Sequence, residues 1–283
     1  MDETLAKSVA SALGERPIRL EPLTGGCVGE VYRVVLRNDS VVAKFDRSER
    51  ASLEVEGKML RYLQANSRLP VPEVRVATPG LLVMDEIIND GSRSDKGERD
   101  LGTHVAALHT IGGENYGFEY STLIGGLPQP NPPRSDWPRF FAEHRVLEFA
   151  ERAARANAID RQGVDRLERL AFALPELLGD GPGPRLIHGD IWSGNVLWNQ
   201  GRLAAFIDPA IYYADPEVEL AFIDLFSTFG PTAWAAYREV HPERNGWRAR
   251  RKAYQIYPLL VHAVLFGGAY GASALREAND LGF

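Results

Sequence analysis

Cysteine is nearly missing from this chain: Cys27 is the single one in 283 residues. No intramolecular disulfide can therefore form, and a thiolate-rich metal site is excluded. The six histidines include no HExxH pair and no spacing to Cys27 that suits zinc. Positive charge is also in deficit, with 32 Lys and Arg against 38 Asp and Glu and a net charge of -6. A phosphate-binding face needs clustered Lys and Arg, so no nucleic acid partner is expected, and a neutral or cationic substrate suits the balance better. Repeats and low-complexity tails are lacking too. The opening MDETLAKSVASALGE has no basic region running into an apolar one, so no secretory signal is expected and a reducing cytoplasm is the expected compartment. The longest apolar stretch, residues 258–275, contains His262, Gly267, Gly268 and Gly271. It reads as one buried helix, and no membrane partner is expected.

What is present is ordinary globular material, 45% hydrophobic and 25% charged, enough for a sizeable core. Leu5, Val9 and Leu13 recur at helical spacing between a possible Asp2 cap and the stop at Gly14. β-Branched runs, VYRVVL and VVAKF, flank the turn residues Asn38, Asp39 and Ser40 and predict a hairpin. Helical spacing returns over residues 48–65, and a short apolar strand over 81–84 leads into IINDGS. Residues 1–88 thus read as a small α+β lobe ending in a hinge. Residues 89–283 read as a larger, mainly helical lobe, interrupted by a Gly/Pro-rich stretch over 111–138 and by strand-like runs around NVLW.

The strongest motif is HGDIWSGN, residues 188–195, followed by FIDP at 206–209. Phosphoryl transfer needs a carboxylate to receive the proton of the attacking hydroxyl and oxygen ligands to hold Mg²⁺ against the phosphates. A kinase catalytic loop sets its base Asp five residues before a metal-binding Asn, with a metal Asp on the following strand. Asp190, Asn195 and Asp208 repeat that order, as base and as two magnesium ligands. Upstream, Thr24 to Glu30 places Gly25, Gly26, Cys27 and Gly29 between two strands, where bare backbone amides could meet ATP phosphates. By itself that loop reads equally well as an unliganded turn. Lys44 follows on VVAKF, where a kinase keeps its phosphate-contacting lysine. Glu56 is preferred over Glu54 as its partner, because Leu60 and Leu63 then fall on the same buried face. Met84 would abut adenine, with the backbone of Asp85 and Ile87 giving the polar contacts. After Asp208 the chain passes at once into AIYYADPEVELAFIDLF, which leaves no room for an activation segment. The acceptor is therefore expected to be a small molecule.

These residues resemble the fructosamine/ketosamine kinases, within the aminoglycoside and choline kinase-like superfamily. GGCVGEVYRV, LGTHVAALH, TLIGGLPQPN with WPRFFAEHRV, HGDIWSGN, IDPAIYYADPEVELAF and YPLLVHAVLFGGAYG carry the likeness from about residue 20 onward. HGD and IDP mark the superfamily alone. PQPN with WPRFF, Trp192 and the Tyr212-Tyr213 pair point to the fructosamine kinase branch. The resemblance implies a two-lobed protein-kinase-like α+β fold. It also implies transfer of the ATP γ-phosphoryl group to a hydroxyl, typically O3, of a ketosamine or glycated protein, which then sheds its sugar. Trp192 is expected to face the acceptor, and Asp215 and Glu217 to support the acceptor site or cap the next helix. The chain departs from the family at Asp85-Glu86, at Tyr120 to Leu123, and at Glu219, where aspartate is frequent; neither Asp85-Glu86 nor Glu219 is expected to touch the chemistry. Other small-alcohol kinases, or a silent nucleotide-binding regulator, are the alternatives.

Overall fold

The computed structural model describes residues 3–23, 29–48 and 51–283. Asp2, Gly25, Gly26 and Cys27, each given a role above, lie outside the described residues. Helix α1 (Glu3–Leu13) ends at Gly14 and precedes strands β1 (Arg19–Pro22), β2 (Glu30–Val35) and β3 (Ser40–Phe45). Helix α2 (Leu53–Asn66) then leads to β4 (Val74–Thr78) and β5 (Leu81–Asp85). The five strands form one antiparallel sheet in the order β1-β2-β3-β5-β4.

Strand alternation decides which helix each side chain meets. Val41, Ala43 and Phe45 of β3 join Val83 and the α1 residues Leu5 and Val9 in one buried cluster. On the opposite face Val42, Leu82 and Met84 pack against Leu53 and Leu60 of α2. Lys44 lies in register with Leu82, and by parity it shares the α2 face. A slip of one residue in β3 would send its ammonium into the apolar α1 side.

The second lobe begins with α3 (Asp95–Leu108), whose N-cap Ser94 accepts a bond from the Gly97 amide. A small hairpin follows, β6 (Thr122–Ile124) and β7 (Leu127–Gln129). Helix α4 (Trp137–Phe141) runs through one π-helical turn, Ala142–Leu147, into α5 (Glu148–Arg155). Helix α6 (Arg161–Leu178) starts from an Asp160 cap. Two strand pairs come next: β8 (Arg185–Ile187) with β11 (Tyr212–Ala214), and β9 (Val196–Asn199) with β10 (Arg202–Phe206). Helices α7 (Glu217–Leu225), α8 (Pro231–Arg238), α9 (Trp247–Phe266) and α10 (Gly268–Asp280) complete the chain.

The single helix expected over residues 258–275 is two, because Gly267 at φ 102° ends α9 and turns the chain into α10. The core of this lobe includes a set of large buried aromatic residues, among them Trp137, Phe140, Phe141, Phe149 and Tyr254. Among the described residues no helix is long and apolar enough to cross a membrane.

Candidate active site

Lys44 reaches from β3 to α2, where its Nζ donates to Glu56 Oε1 at 2.7 Å, and it also donates to Asp208 of the second lobe. Glu56 is buried on the inner face of α2, whereas Glu54 is only partly covered. Burial opposes the Lys44 ammonium, but Glu56 and Asp208 outweigh it and hold its pKa above the usual lysine value.

The loop from His188 to Asn195 joins β8 to β9. Gly189 stands at φ 86°, and a Cβ there would lie 2.3 Å from the Ala210 carbonyl oxygen, so neither backbone shape nor space admits another residue. The Ala210 amide donates to the His188 carbonyl at 2.7 Å and clamps the loop against the segment after Asp208. Asp190 then turns its carboxylate to Asn195, whose Nδ2 donates to Oδ2 at 2.9 Å and to the Asp190 carbonyl at 3.0 Å. Burial, and next the charge of Asp208, push the Asp190 carboxyl up to about 8 against the pull of Asn195. Asp208 itself adopts φ 54°, a left-handed backbone uncommon outside glycine, held in place by the Ile207 amide bonded to the Asn195 carbonyl at 3.0 Å.

These groups line one cleft of about 570 Å³ between the lobes. Met84, Asp85 and Ile87 line its hinge side, and the Asp85 and Glu86 side chains are turned to Arg75 and Arg33. Of the Asp85 backbone groups, the amide is committed to the Glu73 carbonyl at 2.9 Å. Trp192 lines the cleft while 41% exposed, and its ring covers Gly194. Leu123, Gly125 and Gly126 of the β6–β7 hairpin form another part of the wall. Gly29 is described at φ 73° at the start of β2, outside the lining.

Asp215 and Glu217 are not among the residues lining this cleft. Both are buried, with Asp215 taking two bonds from Arg244 at 2.7 and 2.9 Å and Glu217 paired to Arg244 and Arg250. Asp215 Oδ1 also accepts from the Glu217 amide at 2.9 Å, next to the start of α7. Glu219, set aside in the sequence reading as remote from the chemistry, accepts the Gly189 amide beside Asp190. Its other oxygen meets His109 Nε2 at 2.8 Å, and His109 Nδ1 meets the Tyr237 hydroxyl at 2.9 Å. Four residues separate Glu219 from Asp215, too general a spacing to reveal this contact.

Among the described residues no cluster of three or more His, Cys, Asp or Glu suits a metal ion. The oxygens on offer are the Asp208 carboxylate and Asn195 Oδ1, left over once Nδ2 donates to Asp190. Two protein oxygens beside an excess of carboxylate fit Mg²⁺, which keeps water and phosphate among its ligands.

A family model described as fructosamine kinase matches residues 1–281. A probable ketoamine kinase of Synechocystis sp. is 31% identical over 285 residues, covering 96% of this chain and 94% of that protein. The chloroplastic protein-ribulosamine 3-kinase of Arabidopsis thaliana is 30% identical over 295 residues, covering 95% and 89%. A crystal structure of a putative fructosamine-3-kinase from Thermobifida fusca superposes with a TM-score of 0.88 at 33% identity, over 98% of both chains. An ADP-bound aminoglycoside phosphotransferase, 15% identical with a TM-score of 0.68, shares the two-lobed kinase-like fold that the sequence led us to expect.

Proposed function

This chain belongs to the fructosamine kinase family, and from that premise we propose that it moves the ATP γ-phosphoryl group to a sugar hydroxyl, O3, of a ketosamine. The observation that carries the reading is the convergence on one cleft of the Lys44–Glu56 pair, the Asp190–Asn195 pair and Asp208. In this reading Asp190 takes the proton of the acceptor hydroxyl. That oxygen bonds the γ-phosphorus as the bridging bond to ADP breaks, and Asn195 fixes the base in place. Lys44, steadied by Glu56, holds the α- and β-phosphates. Met84 abuts adenine, with Asp85 and Ile87 supplying backbone contacts. Asn195 and Asp208 would hold Mg²⁺, which when bound offsets the negative charge of the phosphates. Trp192 faces the acceptor, whereas Asp215 and Glu217 serve the fold through Arg244 and Arg250. Phosphorylation at O3 makes the adduct shed its sugar, so the physiological role is deglycation of amines or proteins, in the cytoplasm.

The test is ADP release with free fructosamines, glycated lysine, ribulosamines and glycated protein in parallel. Choline, an aminoglycoside and unmodified amines are the controls. Turnover on ketosamines, with phosphorus coupling to the proton on sugar carbon 3, is expected. Turnover on choline or the aminoglycoside and on no ketosamine would overturn the reading.

A further inference from the structure

PQPN, WPRFFAEHRV and the paired tyrosines are among the segments that carry the resemblance described above, yet none supplies the proposed base, lysine or magnesium ligands. Residues from all three meet around Arg145. The π-helical turn Ala142–Leu147 carries Arg145 into the core, where it is fully buried over the rings of Tyr212, Phe140 and Tyr257 at 4.1, 4.8 and 5.4 Å. Among the described residues no carboxylate pairs with it. Its Nη1 donates to the Pro130 and His144 carbonyls at 2.8 and 3.0 Å, and its Nη2 to Asn131 Oδ1.

From Asn131 the bonding runs to both ends of the β6–β7 hairpin. Asn131 Nδ2 donates to Thr122 Oγ1 at 2.7 Å, and Gln129 Nε2 donates to the same oxygen at 2.8 Å. Gln129 Nε2 also donates to the Ala210 carbonyl at 3.0 Å, while the Tyr257 hydroxyl donates to Gln129 Oε1 at 2.6 Å. Ala210 lies two residues past Asp208 and is the residue packed on Gly189, so the hairpin is fixed relative to the catalytic loop itself. The hairpin's tip, Gly125 and Gly126 at φ 53° and 80°, lines the cleft together with Leu123 of β6.

A buried guanidinium without a counter-charge is a poor device for stability, since an apolar residue of similar size would usually serve as well. Its planar fork is suited to fixing positions, because it bonds Pro130 and Asn131 at once. We infer that Arg145 is a positioning residue for acceptor recognition: through Asn131, Thr122 and Gln129 it holds the β6–β7 hairpin as a rigid wall of the acceptor site. The inference rests on the kinase reading above and adds which part of the cleft selects the acceptor. The nucleotide side, built on Lys44 and the hinge, is independent of it.

Two variants test it. Arg145→Lys keeps the charge and loses the fork, and Tyr257→Phe deletes one hydroxyl from the network with the least risk to folding. The acceptor KM is expected to rise about tenfold in the first and about threefold in the second, with the ATP KM within about twofold of wild type. Hydrogen exchange of the amides over residues 122–129 should quicken in Arg145→Lys. An acceptor KM unchanged in both variants, or an ATP KM rising in step, overturns the inference. If wild type uses no ketosamine, the proposed function fails separately, and the variants are then scored on whichever acceptor it does use. With no acceptor at all, hairpin exchange equal to wild type in Arg145→Lys overturns the inference.

Discussion

Lys44 in the cleft donates to Glu56 and Asp208, with the Asp190 carboxylate also within its field, whereas Asp215 and Glu217 beside α7 are held by Arg244 and Arg250. The first cluster sets one cation against three carboxylates and opens on a cavity of about 570 Å³; the second sets two guanidiniums against two. Both are clusters of basic and acidic side chains, partly or wholly buried. Charge balance separates them: the excess of carboxylate in the cleft is offset either by a proton on Asp190, whose carboxyl is pushed up to about 8, or by cations brought from outside, while the arginine cluster is balanced within the chain.

The difference predicts opposite consequences for the two clusters. Asp190→Asn should lower kcat by about two to four orders of magnitude, the range for removing a general base. Its melting temperature should not fall, because the substitution relieves a crowd of like charges. Kinetics by ADP release and a thermal melt on the same preparation check both halves, and near wild-type turnover would remove Asp190 from the mechanism. Arg244→Met should do the reverse. It strands the buried Asp215 carboxylate, at a cost of about 3 to 5 kcal/mol in stability, with the ATP KM little changed. If the variant instead melts like wild type and loses acceptor binding, Asp215 belongs to the acceptor site after all.

The difference in charge balance also marks how far the sequence could be read. That Asp190, Asn195 and Asp208 come together was legible because a fixed local spacing carries them, and Lys44 because it follows on VVAKF in the place a kinase gives its lysine. The lobe order and the hinge region were legible from periodicity. For Asp215 and Glu217 the sequence offered acceptor support or a helix cap, and it could not show their arginine partners, which stand 29 and 33 residues further on with no periodicity pointing to them. The break at Gly267 was hidden because apolar residues continue on both sides of it. Nothing in the sequence marks Arg145 as buried, and the π turn that carries it inward has no signature there.

Glu219 shares α7 with Glu217 but bonds toward the cleft, with one oxygen on the Gly189 amide beside Asp190 and the other on the buried His109 of α3. Glu219→Ala leaves two buried groups without an acceptor, a loss of about 1 to 3 kcal/mol for each. Because the contact supports both loop geometry and packing, the loss should divide between kcat and melting temperature and leave both KM values nearly unchanged. A fall in stability with full kcat would make Glu219 a packing residue alone.

The smallest effect is expected at the open side of the cleft cluster. Trp192 stands between Asp190 and Asn195, 41% exposed, with its ring over Gly194 and one edge on the cavity. A tryptophan packed as core would lose about 3 to 5 kcal/mol on truncation to alanine, but this ring is too exposed for that. Its free surface suits the C–H face of a sugar or an ammonium group, an interaction of about 0.5 to 1 kcal/mol at an exposed site. Trp192→Ala should therefore raise the acceptor KM about two- to fivefold, the ratio that energy corresponds to, with the ATP KM and the melting temperature close to wild type. The residue carries no charge, so the magnesium dependence should also stay as it was. A variant that melts much earlier and keeps its acceptor KM would return Trp192 to the core and leave acceptor selection to the hairpin wall.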